Sequence, residues 1–258
     1  MPNIRLTIEY DGTAYHGWQR QASVPTIQHA IEAAIATISR ESVTVIGAGR
    51  TDAGVHALAQ TANFHTRATL DPAAWQRALN AVLPDDIAVT AAEGVNDSFH
   101  ARFSARGKRY RYLVMNRPSP SPLWRRSAWH LFRPLHLPRM RRGAAGLIGP
   151  HDFSAFRAAD PAHRPSDDTA CRLTRCAIRR DGNLVIFDLE GDRFLKYMVR
   201  NIVGTLVQVG MGVREPREMK AILAGKDRTR AGPTAPPQGL TLTAVAYDVV
   251  RRVTGRGL

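Results

Sequence analysis

The sequence predicts an α+β fold built from two βαββαβ halves, with mainly antiparallel sheets and helices on the opposite face. Three observations lead there. Apolar residues alternate with period two and then recur at helical spacing, in the order β-α-β-β-α-β, over about the first hundred residues. The same order returns in the rest of the chain. Short turn sequences, such as Asp181-Gly182-Asn183, join neighbouring strands as hairpins. That order is of ferredoxin-like, split βαβ type.

The elements follow in turn. Ile4, Leu6, Ile8 and Tyr10 alternate as a strand, which Asp11-Gly12-Thr13 ends. Ile27, Ala30, Ile31, Ala34, Ile35 and Ile38 form a helical stripe, with Pro25 near the helix start where proline is tolerated. Val43 to Ile46 reads as a short strand, Gly49 to Gly54 as a turn, and Val55 to Phe64 as a longer strand. Asp71-Pro72 supplies an N-cap and a first helical residue. Trp75, Ala78, Leu79 and Val82 are that helix's apolar stripe, and Pro84 stops it. Ile87 to Ala91 closes the first half.

The second half opens with a strand at Tyr110 to Met115. A helix at Pro138 to Ile148 follows, with Met140, Ala144 and Leu147 on one face. The strands Leu173 to Arg180 and Leu184 to Leu189 flank the hairpin turn. A long helix is expected over Phe194 to Val209, a shorter one over Pro216 to Leu223, and a last strand over Leu240 to Val249. The boundary between halves falls near Ala105, giving units 1–105 and 106–258. The second unit carries insertions at Pro118 to Pro138 and Ala158 to Thr169. Arg157 to Thr169 is polar and irregular, a loop expected near the substrate, and Arg251 to Leu258 is a basic tail.

Composition narrows the function. The 258 residues suffice for a buried core, and 44% are apolar, which excludes a disordered or collagen-like chain. No apolar run is long enough to cross a bilayer and no secretory signal precedes the first strand, so no membrane partner is expected. Cys171 and Cys176 make neither a disulfide framework nor a four-ligand zinc site. An intracellular, reducing setting and a cytoplasmic location are expected. Five residues apart on one strand, these cysteines should point to opposite faces.

Lys and Arg total 36 against 22 Asp and Glu, a net charge of +14. From Ser98 to His151 there is no acid, while Arg102, Arg106, Lys108, Arg109, Arg111 and further arginines interleave with Phe99, Phe103, Tyr110, Tyr112 and Trp124. A solvated basic face is the plain alternative. Without acids nearby to pair with, the pattern favours a nucleic acid. The aromatic signature of RNA-recognition modules is missing, because Gly107-Lys108-Arg109-Tyr110 lacks its spacing.

Several chemistries are absent at motif level. There is no phosphate loop, no dinucleotide fingerprint, no Gly-x-Ser-x-Gly elbow and no paired-histidine metal spacing, so neither cofactor nor metal is expected. One turn stands out: Gly47-Ala48-Gly49-Arg50-Thr51-Asp52-Ala53-Gly54-Val55-His56-Ala57. By residue type alone it is an Asp-x-Gly turn with a capping carboxylate.

The whole string says more. Gly49 to Ala57 resembles the catalytic segment of the tRNA pseudouridine synthase A family. Tyr10 to Gln19 resembles that family's opening, and Phe99 to Ala105 with Lys108 to Tyr112 its middle motifs. His151 to Phe156, Phe194-Leu195 with Met198 to Gly204, and Gly232 to Pro236 with Gly239-Leu240 resemble three more, all in order. The resemblance implies two such halves around a central RNA-binding cleft, and a homodimer gripping tRNA across both subunits. It implies isomerisation of uridine to pseudouridine at tRNA positions 38, 39 and 40, in the anticodon stem-loop, without cofactor.

Asp52 matches the family's nucleophilic aspartate, which attacks either the ribose carbon or the uracil ring. Arg200 matches the helix-borne arginine that pairs with it. Met198, Val199, Ile202 and Val203 surround Arg200 with apolar neighbours, so an Asp52–Arg200 ion pair is expected to keep an enclosed carboxylate ionised. Tyr110 matches the active-site tyrosine, with Tyr112 as its competitor on the same strand face. Arg50 either fills the gap left by a flipped base or holds the flanking phosphate, or else it braces its own turn through backbone carbonyls. Arg109 and Arg111, within the basic span from Arg102 to Arg142, are expected to hold the RNA. Lys196 and Tyr197 receive no role.

Overall fold

The computed structural model describes residues 1–158 and 168–248. Most of the expected loop at 157–169, the end of the strand expected to reach Val249, and the tail 251–258 lie outside the described residues. The first half contains β1 (Asn3–Tyr10), α1 (Ile27–Ser39), β2 (Ile46–Gly47), β3 (His56–His65), α2 (Pro72–Val82) and β4 (Ile87–Val95). The second contains β5 (Ala105–Asn116), β6 (Trp129–Leu131), α3 (Leu137–Ala145), β7 (Gly149–Asp152), β8 (Ala170–Asp181), β9 (Leu184–Gly191), α4 (Met198–Gly210), α5 (Glu218–Gly225) and β10 (Leu240–Tyr247).

All ten strands form one sheet in the order β4-β1-β3-β10-β5-β9-β8-β7, with β2 on β3 and β6 on β5. Within the first half the neighbours run β4-β1-β3-β2, and within the second β10-β5-β9-β8, all antiparallel. The halves meet in a short parallel ladder, where Thr241 opposes His56 and Leu242 opposes Ala57. The expected plural sheets are therefore one continuous sheet.

One face carries the apolar side chains. Ile4, Leu6 and Ile8 of β1, Phe64 of β3, Tyr112 of β5 and Phe187 and Leu189 of β9 belong to a single buried cluster, with Ile31 and Ile35 of α1 and Ile202 and Leu206 of α4. Asp71 caps α2 as expected, its carboxylate accepting from Ala74 N–H, with Pro72 in the first turn.

Four expectations are corrected. The strand over Val43 to Ile46 shrinks to Ile46–Gly47, because Val45 gives its N–H to the Glu32 carboxylate and its carbonyl to the Gln28 amide, leaving nothing for a ladder. The long helix begins at Met198, not Phe194. Tyr197 caps it in the left-handed region at φ 63°, and Phe194 turns aside to pack edge-on against Tyr110 with ring centroids 5.1 Å apart. A β-bulge between Leu173 and Arg175 resets the alternation of β8, so Cys171 and Cys176 both face the core. Burial pushes these free thiols up to about 11 and about 12. Finally, part of the acid-free basic stretch finds acids elsewhere: Arg106 pairs with Asp248, Arg109 with Glu190, Arg111 with Asp188 and Arg139 with Glu215.

Candidate active site

The turn between β2 and β3 is held from below by the residues that follow β1. Trp18 N–H donates to Thr51 O at 3.1 Å, Gly54 N–H to Tyr15 O at 3.2 Å, and the hydroxyls of Tyr10 and Thr51 bond at 2.8 Å. Gln60, fully buried, donates its amide to Gly49 O at 2.9 Å. Gly17, at φ 88°, lets the two segments touch: a β-carbon there would lie 2.5 Å from Thr51 O. The opening motif is thus the cradle that fixes the carbonyls around Asp52, with no chemistry of its own.

Arg200 comes from the first turn of α4, in the other half of the chain. Its Nη1 lies 3.2 Å from Asp52 Oδ2. Its Nε donates to Ala235 O at 2.8 Å, and Ala235 N–H returns a bond to Arg200 O at 3.1 Å. The loop after α5 is tied down in turn by Asn201, whose Oδ1 accepts from Thr234 Oγ1 at 2.6 Å and from Arg228 Nη2 at 3.0 Å. Asn201 Nδ2 donates to Phe156 O at 2.8 Å, which anchors the single helical turn of the His151 to Phe156 motif beneath α4. Gly204 lets this loop close on the helix, since a β-carbon there would meet Pro233 O at 1.8 Å. The centre of the Tyr197 ring lies 4.7 Å from the Arg200 guanidinium carbon, a cation–π contact.

These segments enclose a cleft of about 1560 Å³, lined among others by Arg50, Asp52, Tyr110, Tyr197 and Arg200. The Asp52 side chain is 21% exposed and that of Arg200 11%. Burial raises the Asp52 carboxyl above its ordinary value, and Arg200 and Lys196 pull it only part of the way back. The ion pair expected from the sequence is present, but it moderates the cost of burial without cancelling it. Burial also pushes the Tyr110 phenol up, reinforced by Tyr10 and Asp52. Tyr110 is therefore a hydrogen-bond donor and an aromatic wall, and remains protonated at neutral pH. Its competitor Tyr112 is fully buried and spends its hydroxyl on Pro236 O at 2.7 Å.

Arg50 is exposed at the rim, and its Nε donates to Gln19 Oε1 at 3.0 Å, a side chain across the wall and not a carbonyl of its own turn. Arg109 and Arg111 leave β5 from the face opposite Tyr110. Held by Glu190 and Asp188, they do not line this cleft. Tyr197, Lys196, Phe194 and Lys108 do line it: Phe194 and Lys108 stand in two of the ordered motifs, while Lys196 and Tyr197 had no role in the sequence. Nothing in the residue string announces a left-handed tyrosine.

Residues 6–104 and 144–248 match the family model described as tRNA pseudouridine synthase. The chain belongs to the tRNA pseudouridine synthase family. It is 47% identical over 247 residues to tRNA pseudouridine synthase A of Thermoanaerobacter sp. (strain X514), covering 96% of this chain and 100% of that one. Identity to the protein of the same name from Dechloromonas aromatica (strain RCB) is 46% over 246 residues, covering 95% and 92%. For that of Myxococcus xanthus it is 47% over 248 residues, covering 96% and 92%. Among solved structures, a Cbf5-Nop10-Gar1 complex aligns with 93% of this chain and 49% of that one at 12% identity and a TM-score of 0.39, too distant to bear on the reading. The synthase is an isomerase, as its ordered motifs led one to expect. Among the described residues no helix is long and apolar enough to cross a membrane, and no group of three or more His, Cys, Asp and Glu is placed to hold a metal ion.

Proposed function

We propose that this synthase isomerises uridine to pseudouridine at positions 38, 39 and 40 of the tRNA anticodon stem-loop, with Asp52 as nucleophile and the target base flipped into the cleft. The observation that carries the reading is the Asp52–Arg200 ion pair, made by two residues 148 apart at the floor of a basic cleft. A protein that only bound RNA has no use for a carboxylate there, since it repels phosphate.

The reaction breaks the bond from ribose C1′ to uracil N1 and forms the bond from C1′ to C5. The hydrogen on C5 leaves as a proton and N1 takes one up, so no electrons enter or leave. The Asp52 carboxylate bonds transiently to the ribose carbon or to the uracil ring and is released intact. Tyr110 supports the flipped ring and donates a hydrogen bond to it. Arg50, free of its own turn, fills the gap or holds a flanking phosphate. The positions rest on the resemblance of the ordered motifs, as do a homodimer that grips one tRNA across both subunits and a cytoplasmic location beside its substrate. The repeated strand order supports reading 1–105 and 106–258 as two ferredoxin-like halves.

The test uses tRNA carrying tritium at uridine C5, with the site mapped afterwards. Release to water by the native protein and none by Asp52→Asn, both binding tRNA in a gel shift, supports the assignment. Binding without release by the native protein rejects it in favour of a binding role.

A further inference from the structure

One cation of the cleft has no partner. Lys108 stands on β5 two residues before Tyr110, on the same strand face, and its side chain is half-buried in the cleft wall. Its ammonium rests on Gly49, three residues before Asp52: a β-carbon at Gly49 would come within 2.4 Å of Lys108 Nζ. Among the described residues nothing forms a hydrogen bond or an ion pair with its ammonium. The neighbouring cations are engaged. Arg200 has Asp52, Arg193 has Asp168, Arg106 has Asp248, Arg50 has Gln19, and Arg102 lies over the Phe103 ring.

The charges acting on Lys108 are themselves positive. Burial, and then Arg102 and Arg193, push its amine down to about 8. A half-buried ammonium beside two guanidinium groups, with no acid of its own, lacks an anion. It stands between the turn that presents Asp52 and the tyrosine that walls the base. The anion that a flipped nucleotide brings to that place is its backbone phosphate.

We propose that Lys108 anchors one backbone phosphate of the nucleotide whose base enters the Asp52 site, with its ammonium seated on Gly49 and backed by Arg102 and Arg193. This assignment rests on the reading of the cleft as the pseudouridylation site. It makes Lys108 a positioning residue. Gly49 is glycine, on this view, because a side chain there displaces the ammonium.

The test steps a single methylphosphonate, which removes one phosphate charge, along the target uridine and its neighbours in an anticodon stem-loop RNA. Affinity and tritium release are measured for the native protein, Lys108→Met, Lys108→Arg and Gly49→Ala. For the native protein one linkage should stand out, with affinity falling roughly tenfold or more when its charge is removed. Lys108→Met should bind unmodified RNA that much more weakly, lose nothing further at that linkage, and show a salt slope smaller by about one. Its kcat at saturating RNA should stay within a few-fold of native. Lys108→Arg should restore the sensitivity, and Gly49→Ala should weaken it while leaving the strand intact, which keeps the test informative if the methionine variant misfolds. Equal sensitivity of Lys108→Met and native at every linkage overturns the proposal. So does a Lys108→Met variant that keeps its affinity and loses kcat, which would put the amine on the reacting base. A native protein that shows the linkage pattern but releases no tritium instead sinks the pseudouridylation reading and leaves the phosphate anchor standing.

Discussion

Asp52 is pulled two ways, upward by burial and downward by Arg200, and its activity depends on which prevails at a given pH. With Asp52 as the proposed nucleophile, the ionised form does the work, so turnover should be lost as pH falls through the carboxyl's raised value. The acid limb of the rate profile should lie above the ordinary aspartate range. Removing the guanidinium in Arg200→Met should move that limb upward by about one unit or more and lower turnover at neutral pH, which a kcat–pH profile checks. An unmoved limb would mean that the ion pair has no hold on the carboxylate. Tyr110→Phe keeps the ring against Phe194 and removes the hydroxyl, so it should reduce kcat about tenfold or more and leave tRNA affinity within a few-fold. Comparing kcat with Kd checks this. At this scale the ordered motifs singled out Asp52, Arg200 and Tyr110, which the fold brings into one cleft, whereas residue type alone made Asp52 a capping residue. Lys108 was legible as one cation of a basic stretch, but its seat was not, because the space for its amine is the missing side chain of Gly49, a residue 59 positions away.

The elements were legible where a local rule decides them and illegible where a tertiary bond overrides it. Asp71-Pro72 began α2 as capping chemistry requires. β2 was cut short by Glu32 and Gln28 of α1, and β8 kept both cysteines inward through a bulge that no periodicity announces. The start of α4 shows the same limit. Its sequence is apolar enough to be helical from Phe194, yet Tyr197 takes a left-handed conformation that costs on the order of 1–3 kcal/mol. The contact between its ring and Arg200 offsets part of that cost. Asn201 joins α4, the Phe156 turn and the loop that holds Arg200. Asn201→Ala leaves those groups unsatisfied, so it should cost about 1–3 kcal/mol in a denaturant titration and lower kcat as well. A stability loss with unchanged kcat would show that Arg200 holds its place without the loop.

For the molecule as a whole, the sum of charge was legible in the sequence, and the structure divides the basic stretch between the cleft, which Arg102, Arg106 and Lys108 line, and the face of Arg109 and Arg111. The net +14 pointed to a polyanion. Part of the acid-free stretch, Arg106, Arg109, Arg111 and Arg139, pairs with acids from other strands and loops, Asp248, Glu190, Asp188 and Glu215. The cleft gathers a further set of cations, Arg50, Arg102, Lys108, Arg193 and Lys196, two of them from that same stretch. If these meet phosphates, tRNA affinity should fall by about a hundredfold between ~50 and ~200 mM salt. Neutralising the far-face pair in Arg109→Gln with Arg111→Gln should leave that slope nearly unchanged. Filter binding over a salt series checks both, and a flat response of the native protein would contradict the cleft as the RNA seat.

β10 is the last strand in chain order among the described residues, yet it lies in the middle of the sheet, between β3 and β5. A ribosome delivering this chain from its N-terminus therefore releases nine strands before the one that joins them. Until β10 arrives, the turn bearing Asp52 and the helix bearing Arg200 belong to two separate pieces of sheet. A truncated or stalled product can hold Asp52, Tyr110 and Arg200 and still lack the strand that joins their two pieces of sheet.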